Sequence, residues 1–201
     1  MWVRRVMSVV LLCSMLSTAY AFADNQGLFK GFQKIRVAVN GKELNNLAVP
    51  GFVVDGKTVL PLRDVADSLG AAVIWDSNTQ TVNLIKPNVH LLVAEAVNKD
   101  YSVKRVFGKV QKGKSLDFSV FTQVDDLSGD VSKVKIQVVD PFGTVADSFE
   151  QKLTDVGDAF WLVRPFEVKF SYAGDYKVQF YLQMDKDDDY TLFAEKTIVS
   201  D

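Results

Sequence analysis

A small α+β unit followed by an all-β sandwich is the fold class that this sequence predicts, and two observations carry it. Between Ile35 and Leu84, two Asx-Gly turns, a proline-started helical stretch and a glycine stop come in close succession. From Ser102 onward the helical period vanishes, and short β-type runs alternate with Gly, Asp, Ser and Pro. The 201 residues are 48% hydrophobic and 24% charged, a balance that favours folded over disordered chain.

The first residues read differently. Met1 to Arg5 form a short basic start, Val6 to Leu16 an apolar run, and Ala21-Phe22-Ala23 a small-x-small cleavage signal. The expectation is a secretory signal peptide over 1–23, removed on export. The apolar run falls short of the ~20 residues that a spanning helix needs. Cys13 comes after Leu11 and Leu12, where a lipid-attachment site wants a small residue, so this cysteine is expected to leave with the leader. The mature chain would then use no disulfide and no thiolate chemistry. Loss of Arg4 and Arg5 leaves 21 Lys and Arg against 25 Asp and Glu, a net charge of −4. Nucleic acid is disfavoured as a partner, since phosphate binding needs clustered cations. No later run is long enough for a membrane span.

Residues 24–34 form a polar lead, either a linker or a first edge strand. Ile35, Val37 and Val39 alternate with Arg36 and Ala38, the period of a half-buried strand. Asn40-Gly41 and Asp55-Gly56 are two-residue hairpin turns, because both residues of each pair tolerate positive φ. Pro61 suits a helix start, where its missing N–H costs nothing. Leu62, Val65, Ala66 and Leu69 give one apolar helical face, and Gly70 suits the left-handed stop. Residues 72–75 and 80–85 form a last hairpin around the turn residues 76–79. Lys86-Pro87-Asn88 closes the unit.

Val39-Asn40-Gly41, Pro50, Asp55-Gly56, Pro61-Leu62-Arg63, Ala66, Leu69-Gly70, Val73 and Trp75-Asp76 together resemble the copper amine oxidase N-terminal domain family, also called the stalk domain. The resemblance covers Ile35 to about Ile85, a quarter of the chain. Lys57 and Asp67 stand where the family more often has Arg and Glu, and both keep the charge. The resemblance implies a bacterial cell-surface or secreted setting, in which such domains accompany other modules as spacers or binding adaptors. It also implies a structural role for Arg63, paired with a nearby acid or backbone carbonyl.

Residues 87–102 are expected as a linker, although 89–101 read equally as a helix or an interdomain strand. Seven strands are expected in 103–201: Val103–Val110, Leu116–Val124, Lys133–Val139, Val145–Leu153, Phe160–Phe170, Tyr176–Met184 and Thr191–Ile198. The run Ala173-Gly174-Asp175-Tyr176-Lys177-Val178-Gln179-Phe180 resembles the tyrosine corner of immunoglobulin-like domains, with Val178 at the usual cysteine position. This implies a disulfide-free sandwich of that kind. The expected division is therefore a leader (1–23), a polar lead (24–34), a stalk-type domain (35–86), a linker (87–102) and the sandwich (103–201).

Catalytic chemistry finds little footing. His90 is the single histidine, whereas copper amine oxidases hold copper with several. A structural or solvated His90 is the expectation, with no copper oxidase activity and no cofactor. Asp185, Asp187 and Asp189 could offer hard oxygens to Ca²⁺, but the EF-hand spacing is missing and a solvated hairpin tip explains them. No carboxylate pair is marked for glycoside hydrolysis. Phe142, Phe149, Phe160, Trp161, Phe166, Phe170 and Tyr172 crowd the second half. Alternation must turn some of them outward, and Trp161 is the candidate ligand contact.

The function expected is that of an exported, non-catalytic structural or adaptor protein, secreted or held at the cell surface. A cell-wall polymer or another envelope protein would be its partner. The alternatives are a carbohydrate- or peptidoglycan-binding module using exposed aromatics, and a carboxylate-based hydrolase.

Overall fold

The structure is a computed structural model that describes residues 27–184 and 189–201. The leader expected at 1–23 lies outside the described residues. The chain divides into two compact units between Pro61 and Leu62.

The first unit is made of short strands. Strands β1 (Leu28–Phe29), β2 (Phe32–Ile35), β5 (Gly51–Val54) and β6 (Lys57–Val59) form one sheet in the order β1-β2-β5-β6. Strands β3 (Ala38–Val39) and β4 (Lys42–Glu43) form a separate hairpin. The polar lead thus carries strands. The single strand expected through Ile35 to Val39 is broken at Arg36–Val37, where Val37 turns into the unit and is buried. Both Asx-Gly turns form as expected, with Asn40, Gly41, Asp55 and Gly56 all at positive φ. Phe52 anchors the sheet between Phe29 and Phe32, its ring centroid 5.6 and 5.7 Å from theirs.

The second unit opens with helix α1 (Leu62–Ser68). Gly70 sits at φ +65°, Ala71 N–H donates to the Ala66 carbonyl (2.9 Å), and Gly70 N–H donates to that of Asp67 (3.1 Å). This is a Schellman stop, with Ala66 and Ala71 both buried beside it. Arg63 Nη1 donates to the Val73 carbonyl at 3.3 Å, one of the partners expected for it. Strands β7 (Ala72–Asp76) and β8 (Thr81–Ile85) pair as a hairpin. Ala72 and Ile85 join the buried cluster of the sandwich, so this hairpin shares its core.

The sandwich contains β9 (Asn88–Val97), β10 (Val103–Val106), β11 (Lys109–Val110), β12 (Ser115–Asp125), β13 (Lys133–Val139), β14 (Val145–Lys152), β15 (Phe160–Lys169), β16 (Gly174–Gln183) and β17 (Thr191–Ser200). One sheet runs β10-β9-β12-β15 and the other β11-β17-β16-β13-β14. The chain switches repeatedly between the sheets, as in an immunoglobulin-like sandwich. Alternate residues of both sheets meet between them, among them Phe118, Val120, Ile136, Phe166, Tyr176, Phe180 and Ile198, all buried. The fold class is as the sequence predicts.

Two expectations are corrected. Residues 87–102 are not a linker: 88–97 form β9, which pairs antiparallel with β12 from Asn88↔Asp125 to Ala94↔Ser119. The buried Val93 and half-buried Val89 and Leu91 supply its inward face. The strand expected over Val103–Val110 is two strands, because the chain crosses between sheets at Phe107-Gly108.

Candidate functional site

Two adjacent rows on the outer surface of the four-stranded sheet set the site. Register places Leu92, Phe121 and Val163 side by side, and His90, Gln123 and Trp161 beside them. The neighbours of these residues in sequence, such as Leu91, Thr122 and Leu162, belong to the opposite face by alternation. Most outward positions of an exposed sheet are polar. Here Leu92, Phe121 and Val163 make the row apolar and half-buried, while Trp161 is 57% exposed.

Tyr101 completes the surface from the loop between β9 and β10. It sits at φ +62°, an uncommon conformation for an aromatic residue, and is 52% exposed. The ring meets Trp161 edge-on, with centroids 6.0 Å apart and planes at 85°, and lies 6.5 Å from Phe121. The turn beneath it is braced. Asn98 N–H donates to the Ser102 carbonyl and Tyr101 N–H to that of Asn98, both at 2.9 Å. The Ser102 hydroxyl and N–H both donate to Asp100 Oδ1, at 2.6 and 3.0 Å. Those two hydrogen bonds, the hydroxyl's first, hold the Asp100 carboxyl below its usual range.

Polar groups stand along the border. Gln123 Nε2 donates to Asp125 Oδ2 at 3.1 Å, and exposed His90 lies opposite Gln123. Aromatic faces beside amide and carboxylate groups can hold a ligand by stacking and hydrogen bonding together. Nothing in this arrangement assembles a nucleophile or an acid–base pair. Among the described residues, no three His, Cys, Asp or Glu side chains group as a metal site would require.

Of the residues singled out in sequence, Trp161 lies at the centre of this surface. Asp185 and Asp187 lie outside the described residues, and Asp189 is exposed. Phe166 and Phe170 fill the core, whereas Phe142 and Tyr172 are exposed and pack edge-on at 5.0 Å. Tyr101 and Phe121 escaped sequence reasoning, because only register and a loop bring them to Trp161. A larger cleft of about 740 Å³ lies between the loops at 127–132 and 153–157, with Ile74 and Met184 in its wall. It offers Asp130 and Asp155 but no aromatic surface.

Residues 38–104 match the family described as Copper amine oxidase N-terminal domain. No curated protein matches the chain. Among solved structures, the CARDB domain of a Pyrococcus furiosus protein, crystallised with di-metal ions, is 13% identical with a TM-score of 0.37. The match covers 58% of this chain and 90% of that one. An immunoglobulin-like protein from Pseudomonas aeruginosa is 15% identical with a TM-score of 0.33, over 58% of this chain and 96% of that one. A Listeria innocua β-glucosidase bound to isofagomine is 11% identical with a TM-score of 0.29, over 60% of this chain but 17% of that one. The assignment of the sandwich rests on its strand order and register, not on these likenesses.

Proposed function

We propose that this is a non-catalytic binding or adaptor protein that works outside the cytoplasm, at the bacterial envelope or beyond it. The outer face of the β10-β9-β12-β15 sheet is its contact surface. The observation that carries this reading is the exposed Trp161 set edge-on against Tyr101 and flanked by Phe121. Large aromatic side chains left in water cost free energy that a bound partner recovers, and Trp and Tyr are favoured contact residues. The leader-like start and the family match at 38–104 support the address.

The test is retention of the full chain on purified cell-wall polymer and on immobilised envelope proteins. Trp161→Ala and Tyr101→Ala are compared with Phe142→Ala, whose ring is exposed elsewhere. Loss of retention in the first two alone is expected. Equal retention by all variants would remove the surface from consideration. A second reading, that the ligand is a sugar ring, is favoured by Gln123, Asp125 and His90 bordering the aromatics. It expects competition by free oligosaccharide, which a protein partner would not show.

A further inference from the structure

Among the described residues, the sheet edge made by β9 is paired over only half its length. β10 pairs with β9 only between Ala94 and Val97. The last backbone link is the Phe107 N–H, which donates to the Val93 carbonyl at 3.3 Å. In an antiparallel strand the N–H and C=O of one residue point the same way, and the direction alternates with period two. Val93 therefore turns its backbone groups away from β12, and Leu91 and Val89 do the same. Among the described residues, no strand pairs with β9 at Leu91 or Val89 on that side.

The other edges of the two sheets are guarded. β10 carries Lys104 and Arg105, the latter at φ +44°. β14 carries Asp147, Glu150 and Lys152, and β15 carries Pro165, Glu167 and Lys169. β11 is two residues long, and the rest of the β17 edge, beyond its pairing with β11, carries Glu195 and Lys196. Charge, proline, irregularity and shortness are the usual means by which edges avoid pairing. The run Val89-His90-Leu91-Leu92-Val93 has none of them. Beside it lies a groove of about 400 Å³, lined by residues 89–92, Phe121 and residues 194–196 of β17. Leu92 and Phe121 line this groove and also belong to the aromatic surface, so the two are continuous.

We infer that the open edge is a strand-addition site for an extended segment of a partner protein. The segment lies antiparallel to β9, in line with β10, and exchanges backbone hydrogen bonds with Leu91 and Val89. Donor–acceptor pairs two residues apart along a strand are matched by another extended backbone. Side chains of the segment on the outer face rest on Leu92, with Phe121 one strand beyond it. The inference rests on this sheet being where the partner binds, and it names the partner as polypeptide.

The probe is a heptapeptide selected on the full chain from a displayed random library. It is then synthesised plain and with N-methyl groups at alternate residues. Amide hydrogen exchange is followed at single residues. In the free protein, Leu91 and Val89 are expected to exchange fast, while His90 and Leu92, bonded to β12, are protected. The plain peptide should slow Leu91 and Val89. Methylation on the pairing side should weaken binding by about tenfold or more, as loss of two backbone hydrogen bonds implies. Leu92→Lys, which keeps every backbone group but guards the edge, should weaken it comparably. Protection of Leu91 in the free monomer would overturn the inference, and so would protection that appears only in a dimer of this chain. Peptides that bind without slowing Leu91 would overturn it too, and the aromatic surface would still stand. If the peptide slows Leu91 but Trp161→Ala leaves all retention unchanged, strand addition stands and the aromatic surface falls.

Discussion

The backbone N–H of Tyr172 donates to the phenol oxygen of Tyr176 at 3.1 Å. Tyr176 lies near the start of β16 with its side chain buried, and its ring packs 4.7 Å from that of Phe170. The bond ties the turn before β16 to the strand itself, which is the arrangement of a tyrosine corner. Val178, two residues on, is fully buried where related domains place a cysteine.

Tyr176→Phe keeps the ring and removes the acceptor. The Tyr172 N–H is then left without its partner, at a cost of about 1 kcal/mol. Denaturant unfolding of the full chain should show a midpoint shift of that size with the slope unchanged. Tyr176→Ala should cost about 3 kcal/mol or more, because a buried aromatic is lost as well. Equal effects from the two substitutions would show that the loss of the hydroxyl accounts for the whole cost and the ring for none.

Local conformational demands were the features most legible in the sequence. Asn40-Gly41, Asp55-Gly56 and Gly70 need positive φ, and only a few residue types supply it cheaply. The tyrosine corner is legible for the same reason, since a short run contains the whole device. β9 was harder to read. Leu91, Leu92, Val93 and Ala94 are consecutive apolar residues, so the period that separates strand from helix is lost. The structure gives the cause: Leu91 and Val93 face the core, while Leu92 faces Phe121 on the other side. Alternation also says that Trp161 and Leu162 point opposite ways, but not which of them meets solvent. Tyr101 reaches Trp161 through a loop, and no local pattern announces that.

Gly70 has a second duty beyond ending the helix. A Cβ built there would lie 2.7 Å from the Phe193 carbonyl oxygen, a backbone atom that cannot swing aside. Gly70→Ala should therefore suffer both the left-handed backbone penalty and the clash, together about 3 kcal/mol. Gly143 is the control, with φ +86° and nothing within 4 Å of an added Cβ. Gly143→Ala should cost only about 1 kcal/mol, the backbone part alone. Thermal unfolding of both variants beside the parent chain tests the difference, and equal shifts would mean that β17 yields to α1.

On the outer face of the five-stranded sheet, Lys135 Nζ lies 4.5 Å from the Tyr181 ring centroid and 4.1 Å from that of Tyr190. Burial first, and the Glu150 carboxylate second, push the Tyr190 phenol from 10.0 up to about 12. A raised folded-state pKa means that the neutral phenol's stabilisation is complete below pH 10 and is lost as pH rises toward 12. Unfolding midpoints measured from about pH 9 to about pH 11.5 should fall more steeply for the parent chain than for Tyr190→Phe. Parallel curves would exclude the coupling.

Acid should act on the candidate site through Asp100. Its carboxyl is held below the ordinary 3.8 by the hydroxyl and N–H of Ser102, and the braced turn presents Tyr101 to Trp161. A depressed folded-state pKa means that this bracing is complete above pH 3.8 and is lost as pH falls through the folded value. Protonation weakens both hydrogen bonds to Asp100, and the strained φ of Tyr101 is then no longer over-determined. Trp161 fluorescence, isolated by replacing Trp2 and Trp75 with Phe, should therefore change on acidification before the sandwich unfolds. Asp100→Asn should show the low-pH signal already at neutral pH, together with weaker retention on whatever Trp161 binds. A signal in Asp100→Asn identical to that of the parent chain at every pH would separate the turn from the aromatic surface.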